Sequence, residues 1–203
     1  MLFLRLVLGS IFIVCCLTTL TNGATLAKDE VEALKRIGKT LGKNGWNFGS
    51  DPCSQHDSWV DQSTRYHANN VTCDCSFNSS TICHVVRIVL KAQNLSGTLP
   101  PNLNSLPFLQ EIDLTRNYLS GTIPPDWGSS TRLVSISLSG NRLIGPIPAA
   151  LANLRNLTSL VLENNGFSGI LPAELGNLSK IEQLHLSSNN FTGKIPETFA
   201  RLT

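Results

Sequence analysis

The chain has 203 residues, of which 41% are apolar and 15% charged, and its formal net charge is +2. This composition is typical of a globular protein and excludes a chain that is disordered throughout. The small net charge gives no indication of a nucleic-acid or other polyanionic partner.

The first predicted element is a secretory signal peptide over residues 1–23. Arg5 precedes an apolar run over residues 6–20, and small polar residues follow this run, as in cleavable leaders. The alternative is an uncleaved anchor helix, but the run is short and Gly9 and Ser10 interrupt it. No second apolar stretch of membrane-spanning length follows. We therefore expect an exported chain with no membrane segment in its mature form.

Residues 24–83 are predicted to form an N-terminal cap. Within them, the segment 28–42 places Val31, Leu34, Ile37 and Leu41 at helical spacing and ends at Gly42, which predicts an amphipathic helix.

The cap also contains the cysteines that remain after cleavage, which are Cys53, Cys73, Cys75 and Cys83. An even number of cysteines in an exported chain predicts disulfides. Of the three possible pairings we favour Cys53 with Cys73 and Cys75 with Cys83. A zinc site is the alternative, with extra ligands from His56, His67 or His84. The single residue between Cys73 and Cys75 is not the usual zinc-ligand spacing.

Residues 84–203 divide into five consecutive blocks of 24 residues that follow the pattern LxxLxLxxNxLxGxIPxxL. A constant period of this length is the signature of a solenoid, in which stacked coils share one core. The alternating apolar residues predict a short strand, and the asparagine is expected to bond backbone groups of its own coil and the adjacent one. The glycine needs a positive φ or a close backbone approach. The first block has Gln93 at the asparagine position, so its ladder contact stays open.

The chain ends on the fifth block with no polar capping repeat. Solenoids ordinarily need such a cap for solubility, so we expect this sequence to be part of a longer protein or a shortened product. Six N-x-S/T sequons predict exposed glycan sites in an exported chain. Their asparagines are Asn70, Asn78, Asn94, Asn156, Asn177 and Asn190.

The sequence contains no metalloprotease, hydrolase, dinucleotide-binding or kinase motif. We therefore expect no enzyme activity in this chain, and neither a metal nor a cofactor. Specificity is expected on the outward side chains of the concave strands, where charges are mixed and no set of aromatic anchors is present. The candidate binding residues there are Arg87, Lys91, Glu111, Asp113, Arg116, Glu163, Glu182 and His185.

The repeats resemble leucine-rich repeats, and "LSGTIP" marks the plant-specific extracellular class. The stretches "NVTCDCSFNSSTICHVVRIVLKAQNLSGTLPPNL" and "LPFLQEIDLTRNYLSGTIPPDW" resemble the ectodomain start of plant leucine-rich-repeat receptor-like serine/threonine kinases, in the group where a malectin-like domain follows the repeats. The resemblance implies an α/β solenoid, a right-handed superhelix with a helical, disulfide-stapled cap. It also implies a place at the extracellular face of the plasma membrane.

The leading functional hypothesis is an extracellular recognition module, the N-terminal part of such a receptor, which binds a peptide, a glycan or a co-receptor ectodomain. One alternative is a small secreted repeat protein that acts as a decoy or as an inhibitor of a secreted enzyme. A second alternative is a truncated gene model whose full-length parent is a kinase.

Overall fold

The computed structural model describes residues 24–54, 59–64, 67–77 and 81–202. The predicted signal peptide, Asn78 and His56 lie outside these ranges. The N-terminal elements are β1 (Thr25–Leu26), α1 (Lys28–Leu41), β2 (Val60–Thr64), β3 (His67–Phe77) and β4 (Ile82–Lys91). The later strands are β5 (Glu111–Asp113), β6 (Ser120–Gly121), β7 (Ser135–Ser137), β8 (Arg142–Gly145), β9 (Ser159–Val161), β10 (Gly166–Ile170), β11 (Gln183–His185) and β12 (Asn190–Thr192).

Two sheets run the length of the solenoid. The concave sheet has the order β11-β9-β7-β5-β4-β3-β2, with β1 added beside β4, and its strands are parallel from β4 to β11. The lateral sheet has the order β12-β10-β8-β6. Short 3-10 helices cover the opposite, convex side at Pro125–Ser129, Ala149–Asn153, Ala173–Asn177 and Glu197–Arg201. The parallel-sheet leucine-rich-repeat fold expected from the sequence is therefore confirmed.

Helix α1 forms where the spacing predicted it and ends at Gly42, whose left-handed φ of 73° closes the last turn. Its buried face differs from the predicted one. Val31 is only partly buried, whereas Glu30 is 1% exposed. The carboxylate of Glu30 contacts Nδ1 of His84 and accepts a hydrogen bond of 2.8 Å from the Val85 amide. An acidic side chain therefore fixes the helix to β4.

The cap and the repeats share one strand. Disulfides join Cys53 to Cys73 and Cys75 to Cys83, the pairing favoured from the sequence. Strand β4 then runs from the cap into the first coil without a break at residue 83. No cluster of potential metal ligands occurs among the residues that the structure describes.

The asparagine ladder forms as expected. Asn117 accepts hydrogen bonds from the amides of Gln93 and Leu95 and donates to the carbonyls of Leu90 and Leu114, so that it links two coils. Asn141, Asn165 and Asn189 make the same two donor contacts one coil further each time, but each accepts from one backbone amide instead of two. Gln93 departs from it: its side chain accepts from Lys43 and contacts His67, so the first coil is tied to the cap.

The repeated glycine is required for two different reasons. Gly121 has a φ of 85°, and the corresponding glycines of the later coils have φ values of 80° to 81°. Gly97 does not have a positive φ, but a Cβ there would lie 2.0 Å from the carbonyl oxygen of Thr40. The glycine of the first coil therefore permits the close approach of the cap helix.

The core is continuous from the cap to the fourth coil. The convex anchors Leu103, Trp127, Leu151 and Leu175 are all fully buried. In the last coil Leu184, Leu186 and Phe199 are only partly buried, and Ile195 is 74% exposed. The last described coil thus presents apolar side chains at its open edge.

Candidate functional site

The basic candidates at the N-terminal end of the concave sheet are already paired. Nε and Nη2 of Arg87 lie 2.8 and 3.0 Å from the two carboxylate oxygens of Glu111. Nζ of Lys91 lies 2.9 Å from Oδ2 of Asp113. Arg87 and Glu111 occupy equivalent positions of adjacent coils, because parallel strands in register bring residues i and i+24 together, whereas Lys91 reaches Asp113 diagonally from two residues further along its strand. These four charges largely neutralise one another.

One of the residues expected to face outward is covered. Asp113 is 7% exposed. The carboxylate of Asp113 accepts a hydrogen bond from the Thr115 amide through Oδ1, while Lys91 lies against Oδ2. Asp113 is thus not the open concave residue expected from the sequence, since it is buried and each carboxylate oxygen already has a partner.

The remaining concave candidates are dispersed. Nδ1 of His185 lies 3.8 Å from Glu163, which also accepts from Oγ of Ser187 at 3.4 Å. Glu182 is exposed on the last coil. Arg116 follows the end of β5 with a left-handed φ of 59°, so it lies at the turn rather than on the strand. The structure does not bring these side chains together into one site.

Large apolar side chains are exposed along the lateral sheet, a surface that was not predicted from the sequence. Among the described residues, the large apolar side chains that are exposed are Tyr118 at 48%, Ile144 at 55%, Ile170 at 69% and Ile195 at 74%. The first three lie on successive coils, in or just before the strand that each coil adds to the lateral sheet. We call the surface formed by Tyr118, Arg142, Ile144, Pro146 and Ile170 the lateral strip. An available signal was that Ile144 occupies a position where the other four blocks have Ser or Thr, and that Ile170 occupies one where they have Thr, Pro or Lys.

The lateral strip is apolar with a basic character. Arg142 stacks on Tyr118, with its guanidinium carbon 4.9 Å from the ring centroid. The outward positions of this sheet are residues 94, 96 and 98 and their equivalents in the next four coils. The charged residues among them are Arg142 and Lys194, and none is acidic.

The sequons differ in where they lie. Asn94, Asn156, Asn177 and Asn190 are exposed, whereas Asn70 is half-buried in β3. Asn94 and Asn190 occupy the same repeat position as Tyr118 and Arg142. They therefore lie at the two ends of the row that contains the lateral strip.

One carboxyl group has a perturbed pKa. The backbone amide of Ser76 donates to Asp74 at 2.9 Å and, with the Ser76 hydroxyl, holds the pKa of Asp74 below its ordinary value. Asp74 lies in the cap, far from the lateral strip in the sequence. Within the described ranges no helix is both long and apolar enough to cross a bilayer.

Comparison with known proteins agrees with this architecture. The Leucine rich repeat family matches residues 131–191, and a second Leucine Rich Repeat family matches residues 108–130. A probable LRR receptor-like serine/threonine-protein kinase of Arabidopsis thaliana is 50% identical over 97 residues, which are 45% of this chain and 9% of the relative. The match to a second such kinase covers 47% of this chain and 10% of the relative. The chain thus spans only about a tenth of the length of these curated relatives.

Solved structures cover more of the chain. The ectodomain of the receptor kinase SOBIR1 from Arabidopsis thaliana is 30% identical with a TM-score of 0.74, over 89% of this chain and 90% of that one. A structure of the BIR3–SERK2 complex from Arabidopsis thaliana is 28% identical with a TM-score of 0.66, over 85% of this chain and 88% of that one. The chain therefore belongs to the leucine-rich-repeat family of plant receptor-kinase ectodomains.

Proposed function

We propose that the chain is an extracellular protein-recognition module of a plant receptor-like kinase and that its lateral strip docks on another ectodomain. The observation that carries this proposal is the exposure of Ile144 and Ile170 on the lateral sheet and of Tyr118, which lies just before β6. Large apolar side chains that cluster on a surface mark interaction sites more often than isolated ones do.

The charges of the lateral sheet indicate the partner's chemistry. Arg142 and Lys194 border the apolar side chains, and no acidic residue shares their positions. A complementary partner would have an apolar centre with carboxylates at its rim, since charge complementarity governs orientation and association rate. Arg142 is preorganised by its stack on Tyr118, and tyrosine and arginine are the residues that interfaces favour.

The concave sheet supports docking less well. Five strands at about 4.8 Å span only about 20 Å, and the pairs Arg87–Glu111 and Lys91–Asp113 would have to be broken to bind a charged ligand. The BIR3–SERK2 structure is a complex of two proteins, so a related fold does take part in protein–protein association.

The proposed context is the outer face of the plasma membrane. The cap and the block "IVLKAQNLSGTLP" support placement of the parent protein in the group with a malectin-like domain. In that context phosphotransfer belongs to other parts of the parent, and this chain contributes recognition. Glycans on Asn94 and Asn190 would flank the lateral strip and leave its centre open.

Binding measurements against a panel of plant leucine-rich-repeat ectodomains that includes SERK2 test the docking surface. The double variant Ile144→Asp/Ile170→Asp is expected to weaken binding at least about tenfold, because it places charges in the apolar centre. Ser135→Asp/Ser159→Asp on the concave sheet is the matched control. Binding that is lost in the concave variant and retained in the lateral one would refute the proposed surface.

An immunoblot with an antibody to residues 29–80 tests the receptor context separately. Deglycosylated membrane and apoplastic fractions of the source plant are compared. A membrane-bound band several times larger than 22.0 kDa is expected. A soluble apoplastic band below that mass would instead support the secreted decoy or inhibitor.

A further inference from the structure

A third surface lies where the coils begin. The first residues of the five blocks are His84, Phe108, Arg132, Asn156 and Lys180, and we call them the first-residue row. The rings of His84 and Phe108 lie 4.1 Å apart, and the guanidinium carbon of Arg132 lies 4.5 Å from the Phe108 centroid. Further along, Nζ of Lys180 donates to Oδ1 of Asn156 at 2.9 Å. The side chains of Arg132 and Lys180 are thus each held by the neighbouring residue of the row, Phe108 and Asn156 respectively.

The two cations border an open groove of about 410 Å³. Its lining residues are Gln110, Arg132, Val134, Asn156, Thr158 and Lys180. Among the described residues, neither Arg132 nor Lys180 has a carboxylate within 4.0 Å, whereas Arg87 and Lys91 each have one. The groove therefore presents two ordered positive charges that no carboxylate of the described residues pairs.

We infer that this groove binds an extended acidic segment of a protein partner through two carboxylates. Arg132 offers a planar fork that can bind a carboxylate through two hydrogen bonds, and its stack on Phe108 reduces the entropy lost on binding. Lys180 offers a second charge two coils away, about 10 Å along the sheet. In an extended peptide, side chains on the same face recur about every 6.8 Å, a separation that the long Arg and Lys side chains can bridge.

The groove favours a peptide over an acidic sugar. Sugars commonly bind by stacking on an open aromatic face, but both faces of Phe108 are covered, one by His84 and the other by Arg132. The half-buried Val134 instead offers a small apolar contact, beside Thr158, whose hydroxyl donates to the Val134 carbonyl oxygen at 3.2 Å. The inference deepens the proposed recognition role by assigning it a second surface, distinct from the lateral strip.

Asn156 is also one of the predicted glycan sites, so the inference is tested with the purified chain produced without N-glycans. Fluorescence anisotropy measures its binding to the labelled probe Gly-Glu-Val-Glu-Gly. We expect saturable binding that weakens as the salt concentration rises, and about tenfold or greater loss of affinity in Arg132→Gln and in Lys180→Gln. Arg132→Lys keeps the charge but loses the planar fork. Its affinity for the probe is therefore expected to lie between that of the unmodified chain and that of Arg132→Gln. The matched control is Arg142→Gln, which removes the other stacked arginine and is expected to leave probe binding unchanged.

Several outcomes would overturn the inference. They are equal binding of the neutral probe Gly-Gln-Val-Gln-Gly, equal losses in Arg132→Gln and Arg142→Gln, and no saturable binding below about 1 mM. Digalacturonic acid that binds more tightly than the peptide would reassign the groove to an acidic sugar. The lateral double variant Ile144→Asp/Ile170→Asp should retain full probe binding, so failure of the groove and failure of the lateral docking surface are distinguishable.

Discussion

Replacing Asn117 with alanine tests the ladder that holds the coils together. Asn117 is 5% exposed, and its Oδ1 accepts from the amides of Gln93 and Leu95 at 2.9 and 3.1 Å. Its Nδ2 donates to the carbonyls of Leu90 and Leu114, each at 2.8 Å. Nδ2 also lies 3.2 Å from the Thr115 carbonyl oxygen, so alanine removes five hydrogen bonds at once.

The two backbone amides determine the size of the effect. A buried donor left without an acceptor costs about 1–3 kcal/mol, so two of them cost about 2–6 kcal/mol, with about 4 kcal/mol as the central value. For a chain of this size 1 kcal/mol corresponds to about 2–4 °C in Tm. Thermal unfolding followed by circular dichroism should therefore show a decrease of about 8–16 °C.

Two controls make this result interpretable. Asn153 is exposed at the end of a 3-10 helix, so Asn153→Ala should change the free energy of unfolding by less than about 0.5 kcal/mol. Asn189 on the last coil is half-buried and accepts from the Phe167 amide alone, so Asn189→Ala should have a smaller effect than Asn117→Ala. If Asn117→Ala destabilises the chain no more than Asn153→Ala does, the ladder does not hold the coils as reasoned here.

Three further predictions concern the cap. Glu30→Ala should lower the free energy of unfolding by about 1–3 kcal/mol, because it leaves the buried Val85 amide without its acceptor and removes the contact to His84. Glu32→Ala on the exposed face of the helix is the control in the same denaturant titration, and equal losses would contradict a special role for Glu30. Gly97→Ala should prevent the cap from packing on the first coil, since its Cβ would lie 2.0 Å from the Thr40 carbonyl oxygen. The protease resistance of residues 24–83 measures this packing. An unchanged digestion pattern would show that the close approach is not required. Asp74 should titrate in NMR below the ordinary carboxyl value of about 3.9, because Ser76 stabilises the charged form. Since the pKa of Asp74 is lower in the folded than in the unfolded chain, its stabilising contribution is present above the unfolded pKa and is lost as the pH falls through the folded pKa. An Asp74 titration at or above the ordinary value would refute the lowered pKa.

Much of the fold could be predicted because each repeat position interacts with its own coil or the adjacent one. The 24-residue period predicts the strands, the asparagine ladder and the buried anchors without knowledge of distant contacts. The cap helix was predicted as well, but Glu30 was not expected on its buried face. An acidic residue at a buried position is stable only because His84 and the Val85 amide, more than 50 residues away in the sequence, satisfy it.

The candidate binding surfaces were harder to predict. The sequence places Arg87, Lys91, Glu111 and Asp113 on the concave strands, but it does not show that these charges pair with each other. The lateral strip was missed because Ile144 and Ile170 occupy repeat positions whose residue type varies or is usually polar, so the repeat pattern gives them no role.

By itself, the sequence determined that this protein is a stacked leucine-rich-repeat coil with a cysteine-containing cap, because period and register are properties of the chain. Only the tertiary structure decided which exposed side chains remain available for a partner. Availability depends on neighbours 22 to 24 residues away in adjacent coils: the carboxylate of Asp113 is paired with Lys91, whereas the guanidinium of Arg132 stacks on Phe108 and has no carboxylate partner among the described residues.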